Sequence, residues 1–285
     1  MTWGDVLLHG WDLEPSVIVG CIGLLVGYFV LTREDKREWW QLTAYVSGVV
    51  LLLLALVSPL DALSDHYLFS AHMVQHLFLM LIVPPLMLLG LPREFFERLL
   101  RIDWMRRLEL RLRKPALAWG MASADLIFWH IPHFYDLTIQ NDTVHIIEHL
   151  SFLVLYTIFW WPALSPLKES RLSPMASVVY LFAGMAVNAI LGIVITFAPA
   201  GFYSAYLHPA DPFGWLSTIR NQWGITPHLD QEIGGIIMWV PGSFVYVIAN
   251  MSILGVWFSH GEPDEQPGKG KGNEPVPVVP KLAER

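Results

Sequence analysis

The chain has 285 residues, of which 54% are hydrophobic and only 15% charged, whereas soluble domains carry nearer a quarter of charged residues. That balance excludes water as the main solvent. A formal net charge of -7, with no phosphate-cradling glycine loop and no basic footprint, excludes a nucleic-acid partner, and the single cysteine, Cys21, excludes a disulfide framework or a Cys-x-x-Cys motif within one chain.

A hydrocarbon layer about 30 Å thick is crossed by roughly 20 apolar residues in a helix. Met1 to Pro15 hold no Lys or Arg, so this is not the basic start of a cleavable signal peptide, and the first helix is expected to be retained. Seven apolar runs follow, near 16–32, 42–60, 68–91, 115–131, 144–161, 175–198 and 233–258. The fold expected is an all-α polytopic bundle of seven transmembrane helices, one domain over residues 1–260. Between the third and fourth runs, 93–114 mixes Phe95, Phe96, Leu99, Leu100, Trp104 and Met105 with eight basic residues, the composition of a helix lying in the interface against anionic lipid. The loop 199–228 carries Tyr203, Tyr206, Trp215 and Trp223; it either lids the adjacent end of the bundle or rests at the interface, the latter being the simpler reading. The tail 261–285, rich in Pro, Gly, Lys and Glu, is expected to be disordered.

Sorting charge by alternate loops puts 17 of the 18 Lys and Arg residues on one side; only Arg220 falls on the other. By the positive-inside rule the N-terminus is outside and the C-terminus cytoplasmic. The same sorting places His9, His66, His72, His76, His130, His133, His145, His149, His208 and His228 at the outer side and only His260 inside. The imidazole chemistry of this protein is therefore expected at one end of the bundle.

Two of the runs begin there with paired histidines. The third reads His72-Met73-Val74-Gln75-His76 and the fifth reads His145-Ile146-Ile147-Glu148-His149. Residues i and i+4 share a helix face about 6 Å apart, so each pair can flank one ion, and two facing helices would offer four imidazoles at one depth with Glu148 beside them. Polar groups inside a span are costly and usually face a bundle interior or a cavity. The plain alternative is polar packing between helices. Further candidate ligands or orienting groups are His130 and His133 at the end of the fourth run, Asp125 deeper in it, and Asp230 at the start of the seventh, where helix capping would also explain it. The thioethers of Met73, Met80, Met87 and Met238 suit copper(I), although methionine in an apolar helix more often packs. Pro84-Pro85 is expected to bend the third helix.

The run His72 to His76 followed by Pro84-Pro85-Leu86, the segment His130 to Asp136, the His145 to His149 motif, and Asp230-Gln231 with Gly234-Gly235 and Met238-Trp239 resemble the CtaG-type cytochrome c oxidase assembly proteins of bacteria, the multi-span family associated with caa-type oxidases rather than the single-span chaperone sharing that name. The resemblance covers nearly the whole apolar region. It implies a multi-pass protein of the bacterial plasma membrane that partners cytochrome c oxidase subunits, is not an enzyme, and supplies or inserts copper; the matched spacing and depth of His72, His76, His145 and His149 make them the expected metal ligands. Imidazole serves zinc, iron and nickel as well, so the metal comes from the family and not from the spacing. Two other readings stand beside it. Histidines on facing helices can ligate a haem. A zinc-dependent seven-span hydrolase would use Ser70, Asp125 and His145/His149, with Glu148 as base on a zinc-bound water.

Overall fold

A computed structural model describes residues 3–260; the expectation for the tail 261–285 falls outside the described residues. No strand occurs among the described residues. The helices are α1 (Trp3–His9), α2 (Pro15–Leu31), α3 (Trp39–Val57), α4 (Pro59–His66), α5 (Phe69–Leu77), α6 (Val83–Gly90), α7 (Arg93–Leu99), α8 (Asp103–Leu112), α9 (Pro115–Trp129), α10 (Pro132–Gln140), α11 (Asp142–Leu164), α12 (Pro174–Thr196) and α13 (Pro227–His260). Each of the seven apolar runs contains a helix. Five stretches are long and apolar enough to cross a membrane: Trp39–Val57, Phe69–Gly90, Asp142–Leu164, Pro174–Thr196 and Pro227–Ser259. Pro15–Leu31 is apolar but has 17 residues, and Pro115–Trp129 has 15, about 26 and 22 Å at 1.5 Å per residue.

Prolines shape the elements that carry the site, and polar side chains repair the backbone they disturb. Pro84 has no N–H to offer Met80, and between α5 and α6 the chain runs through a π turn, Phe78–Ile82. The Trp160 indole of α11 donates to the Met80 carbonyl at 3.0 Å in place of the missing amide. Pro59, at the start of α4, likewise leaves the Ala55 carbonyl of α3 open, and the Gln75 amide of α5 donates to it at 2.8 Å. Where no water can substitute, such repairs are what permit a break in a helix.

Small residues bring the backbones together. A Cβ on Gly192 would lie 2.7 Å from the Trp239 nitrogen, and one on Gly235 would lie 2.6 Å from the Thr196 nitrogen and 2.8 Å from the Gly192 carbonyl oxygen. α12 and α13 thus pack main chain to main chain, with Asn188 donating to the Met238 carbonyl at 2.7 Å.

The single interfacial helix expected over 93–114 is instead two helices, α7 and α8, broken at Leu100–Ile102 because Ile102 is extended (φ -81°, ψ 115°). Phe96 packs on Trp161 at 4.8 Å between ring centroids, Trp161 donates to Glu109 at 3.1 Å, and Arg98 pairs with Asp35. These contacts fasten the pair to the end of the bundle opposite the histidines.

Replacing Gly235 by leucine is expected to destabilise the bundle by about 1–3 kcal/mol through overpacking, read as a lower unfolding temperature of the purified protein. Gly23→Ala, where a Cβ meets nothing within 4 Å, is the control expected to change little; equal behaviour of the two would refute the close α12–α13 approach.

Candidate metal centre

α5 begins after Leu68, whose side chain provides no cap. The free amides of its first turn are taken by α13 instead: Asp230 accepts from the Phe69 N–H at 2.7 Å, from the Ser70 N–H at 3.1 Å and from the Ser70 hydroxyl at 2.5 Å. A carboxylate at a helix N-terminus also suits its dipole. Asp230 is therefore a cap, but of the histidine helix and not of its own. α11 is capped locally, with the Asn141 side chain accepting from the Val144 N–H at 3.2 Å.

These starts bring the two histidine pairs face to face. His72 and His76 are fully buried and their Nε2 atoms are 2.7 Å apart; those of His145 and His149 are 3.0 Å apart. Ring centroids of His72 lie 5.1 Å from His145 and 5.6 Å from His149, and those of His76 and His149 are 5.8 Å apart. Glu148, fully buried, places Oε2 3.5 Å from His72 Nε2 and Oε1 3.5 Å from His76 Nε2. One ligand atom from each of His72, His145, Glu148 and His149 lies within 4.8 Å of all the others.

His130 completes the cluster, 5.4 Å from His76 between centroids. Its Nδ1 lies 2.8 Å from the Leu126 carbonyl oxygen, which can only accept, so Nδ1 carries the proton and Nε2 presents a bare lone pair. That buried Nε2 has no hydrogen-bond partner, nor do the Nδ1 atoms of His72 and His76 or either oxygen of Glu148. Unpartnered polar groups in a dry interior cost several kcal/mol unless charge is shared among them. A fixed tautomer, several imidazole lone pairs and one carboxylate form a donor set that fits a divalent transition metal, whose bonds to N and O are about 2.0–2.2 Å.

The remaining expected residues lie elsewhere. Asp125 does not orient an imidazole: it accepts from Trp129 at 3.0 Å and from the Ser151 hydroxyl at 2.9 Å, joining α9 to α11. Met73 is buried towards α13, its Cγ 3.2 Å from where a Cβ of Gly234 would stand. His133 is exposed on α10, edge-on to Phe134 at 5.5 Å.

Other contributors lay outside the motifs. Asp65 of α4 places Oδ1 3.8 Å from His145 Nδ1, on the far side of that ring from the cluster. Asp61, one helical turn earlier, accepts from Gln75 at 2.7 Å; burial, and then the charge of Asp65, push its carboxyl up to about 8. The i,i+4 spacing of Asp61 and Asp65, matching that of the histidines, was the available signal. The loop after α12 folds back as a cover: Tyr203 and Tyr206 are buried, Tyr203 donates to the His130 carbonyl at 3.0 Å, and Tyr206 donates to the Ser64 carbonyl at 2.8 Å while sharing a hydrogen bond with Tyr135, whose ring is 5.2 Å from His72. The lid, rather than the plain interfacial reading, describes this part of the loop.

Membrane-length helices around a largely buried cluster of five histidines and a glutamate define a polytopic membrane protein with a polar, histidine-rich centre. Residues 23–260 match the family described as cytochrome c oxidase caa3 assembly factor, and the chain belongs to that family. It is also similar to uncharacterized proteins of Mycobacterium leprae (23% identical over 268 residues, 87% of this chain and 39% of the relative) and of Mycobacterium bovis and Mycobacterium tuberculosis (each 23% over 276 residues, 88% and 40%). The chain thus spans about two fifths of the length of these relatives. No solved structure matches.

Asp230→Ala is expected to cost about 1–3 kcal/mol, because two buried amides of α5 lose their acceptor, with Asp230→Asn recovering part of the loss through its remaining oxygen. Thermal unfolding of the purified variants checks this; an alanine variant as stable as the unaltered protein would show that α5 does not depend on the cap.

Proposed function

We propose that this protein takes part in assembling cytochrome c oxidase by holding copper at the His72, His76, His145 and His149 cluster and passing it to an oxidase subunit. The observation that carries this reading is the meeting of His72, His145, Glu148 and His149 within 4.8 Å of one another, with His76 and then His130 beside them. Family membership supplies the oxidase; the donor chemistry supplies compatibility with copper as cargo. Imidazole and carboxylate without thiolate hold such an ion yet leave it exchangeable, which a donor to another protein needs. Glu148 offsets the charge of the ion, and His130, held by the Leu126 carbonyl, supplies an additional nitrogen.

In the same reading α2 and α9 complete a bundle of seven crossings in the bacterial plasma membrane, with the N-terminus and the histidine end outside and the C-terminus cytoplasmic. The 17-to-1 distribution of basic residues supports that direction. Several observations favour cargo binding over the alternatives. The Ser70 hydroxyl is committed to Asp230, and Asp125 to Trp129 and Ser151, so the residues a zinc hydrolase would combine are separately engaged. The imidazoles converge on a point and do not flank a plane, as two axial ligands of a haem would.

Metal analysis of the purified protein is expected to find about one copper per chain, lost when His72, His76, His145 and His149 are replaced together by alanine and kept in His133→Ala. Stoichiometric copper in the fourfold variant would refute the site, and zinc or a Soret band in the unaltered protein would refute the cargo. His130→Ala and Glu148→Gln are each expected to weaken copper binding by about 10–100-fold, the usual cost of an outlying or supporting ligand, measured by competition with a chelator of known affinity. Undiminished affinity in both would confine the site to the four paired histidines.

A further inference from the structure

A cleft of about 480 Å3 lies between α2, α3, α4 and α11. Its walls are largely apolar, with Leu24, Leu52, Leu56 and Leu153 among them, but one end gathers Glu14, Asp61, Asp65, His145 and His149. Asp61 and Asp65 are one turn apart on α4 and so share a face. Neither belongs to the cluster; Asp61 accepts from Gln75 at 2.7 Å, and Asp65 is left to face His145.

Exposure falls in order along this end. The Asp65 side chain is 31% exposed and that of His145 13%, while His149 and His72 are buried. The contacts follow the same order: Asp65 Oδ1 is 3.8 Å from His145 Nδ1, His145 Nε2 is 3.0 Å from His149 Nε2, and the His149 ring is 5.6 Å from that of His72. His145 thus faces the acidic pair with one nitrogen and the buried cluster with the other. The opposite approach is closed by Tyr203 and Tyr206, which are hydrogen-bonded over the cluster.

We propose that this cleft is the port by which a copper ion enters and leaves the buried cluster, with Asp61 and Asp65 as the first station and His145 as the relay to His149. The inference rests on the copper-binding reading above and adds the path. Carboxylates at a low-dielectric mouth raise the local cation concentration and hence the rate of entry, without setting the depth of the final site. Stepwise exchange between neighbouring donors spares the ion a single costly desolvation.

The test separates rate from affinity. The full-length protein in lipid nanodiscs is mixed with copper(II) held by a coloured chelator, and loss of colour gives the rate of loading; excess chelator then gives the rate of release. The double variant D61N/D65N is expected to load and release about tenfold or more slowly, the lower end of electrostatic effects on association, while final stoichiometry and affinity stay those of the unaltered protein. Asparagine at 61 keeps an acceptor for Gln75. A second variant, Gly20→Phe, fills the cleft from α2, where a Cβ meets nothing within 4 Å, and is expected to slow both rates by obstruction without touching a ligand. Unaltered rates in both variants overturn the port. A loss of affinity at unchanged loading rate also overturns it, since the carboxylates would then be ligands. If the unaltered protein takes up no copper, the reading beneath falls and the port with it.

Discussion

Glu148 imposes the constraint around which the rest of the histidine end is arranged. A carboxyl group buried in a helix bundle is tolerated only where polar partners stand around it, and the Nε2 atoms of His72 and His76 lie 3.5 Å from its two oxygens. Those two rings meet edge to face on α5, and setting His145 and His149 against them requires α5 and α11 to start at the same level. The Asp230 cap and the Asn141 cap meet that requirement on the two helices separately. Misplacing either start by one residue would rotate a pair by about 100° and take its ring nitrogens off the common point.

The same logic explains the backbone repairs. Prolines at 59 and 84 remove amides from α4 and from the break between α5 and α6, and in each case the freed carbonyl is bonded by a side chain from a neighbouring helix, Gln75 or Trp160. Gln75 stands between His72 and His76 in sequence and bonds both Ala55 and Asp61, so the histidine helix, the end of α3 and the acidic face of α4 are tied through one amide. The histidine cluster and the acidic face of α4 are consequently parts of one hydrogen-bonded unit, stiffened elsewhere by the glycine contacts of α12 with α13.

Membership of the cytochrome c oxidase caa3 assembly factor family gives this arrangement its biological setting. The role proposed above requires an ion to be bound without thermodynamic finality, and a site of imidazoles and one carboxyl group, screened by tyrosines on one side and bordered by carboxyl groups on another, is compatible with that role. The mycobacterial relatives contain a region like this chain within proteins more than twice as long, so the unit is found joined to additional sequence.

By itself, the sequence determined the helical runs and the basic asymmetry of the loops. It also determined the presence of histidine pairs at i,i+4, because apolar length and helical periodicity are local properties that survive without knowing what packs on what. The division of 93–114 into two helices turned on the backbone at Ile102, a conformation composition does not encode. Tertiary structure alone decided which outlying residues joined the site. Asp125, Met73 and His133 had the right chemistry and depth but were claimed by Ser151 and Trp129, by α13, and by the surface. His130 joined through a tautomer set by the Leu126 carbonyl, and Asp61 and Asp65 came alongside only because Pro59 starts a short helix across the mouth of the cluster. Convergence of side chains from four helices depends on how those helices are rotated and capped against one another, and a linear pattern carries no record of that.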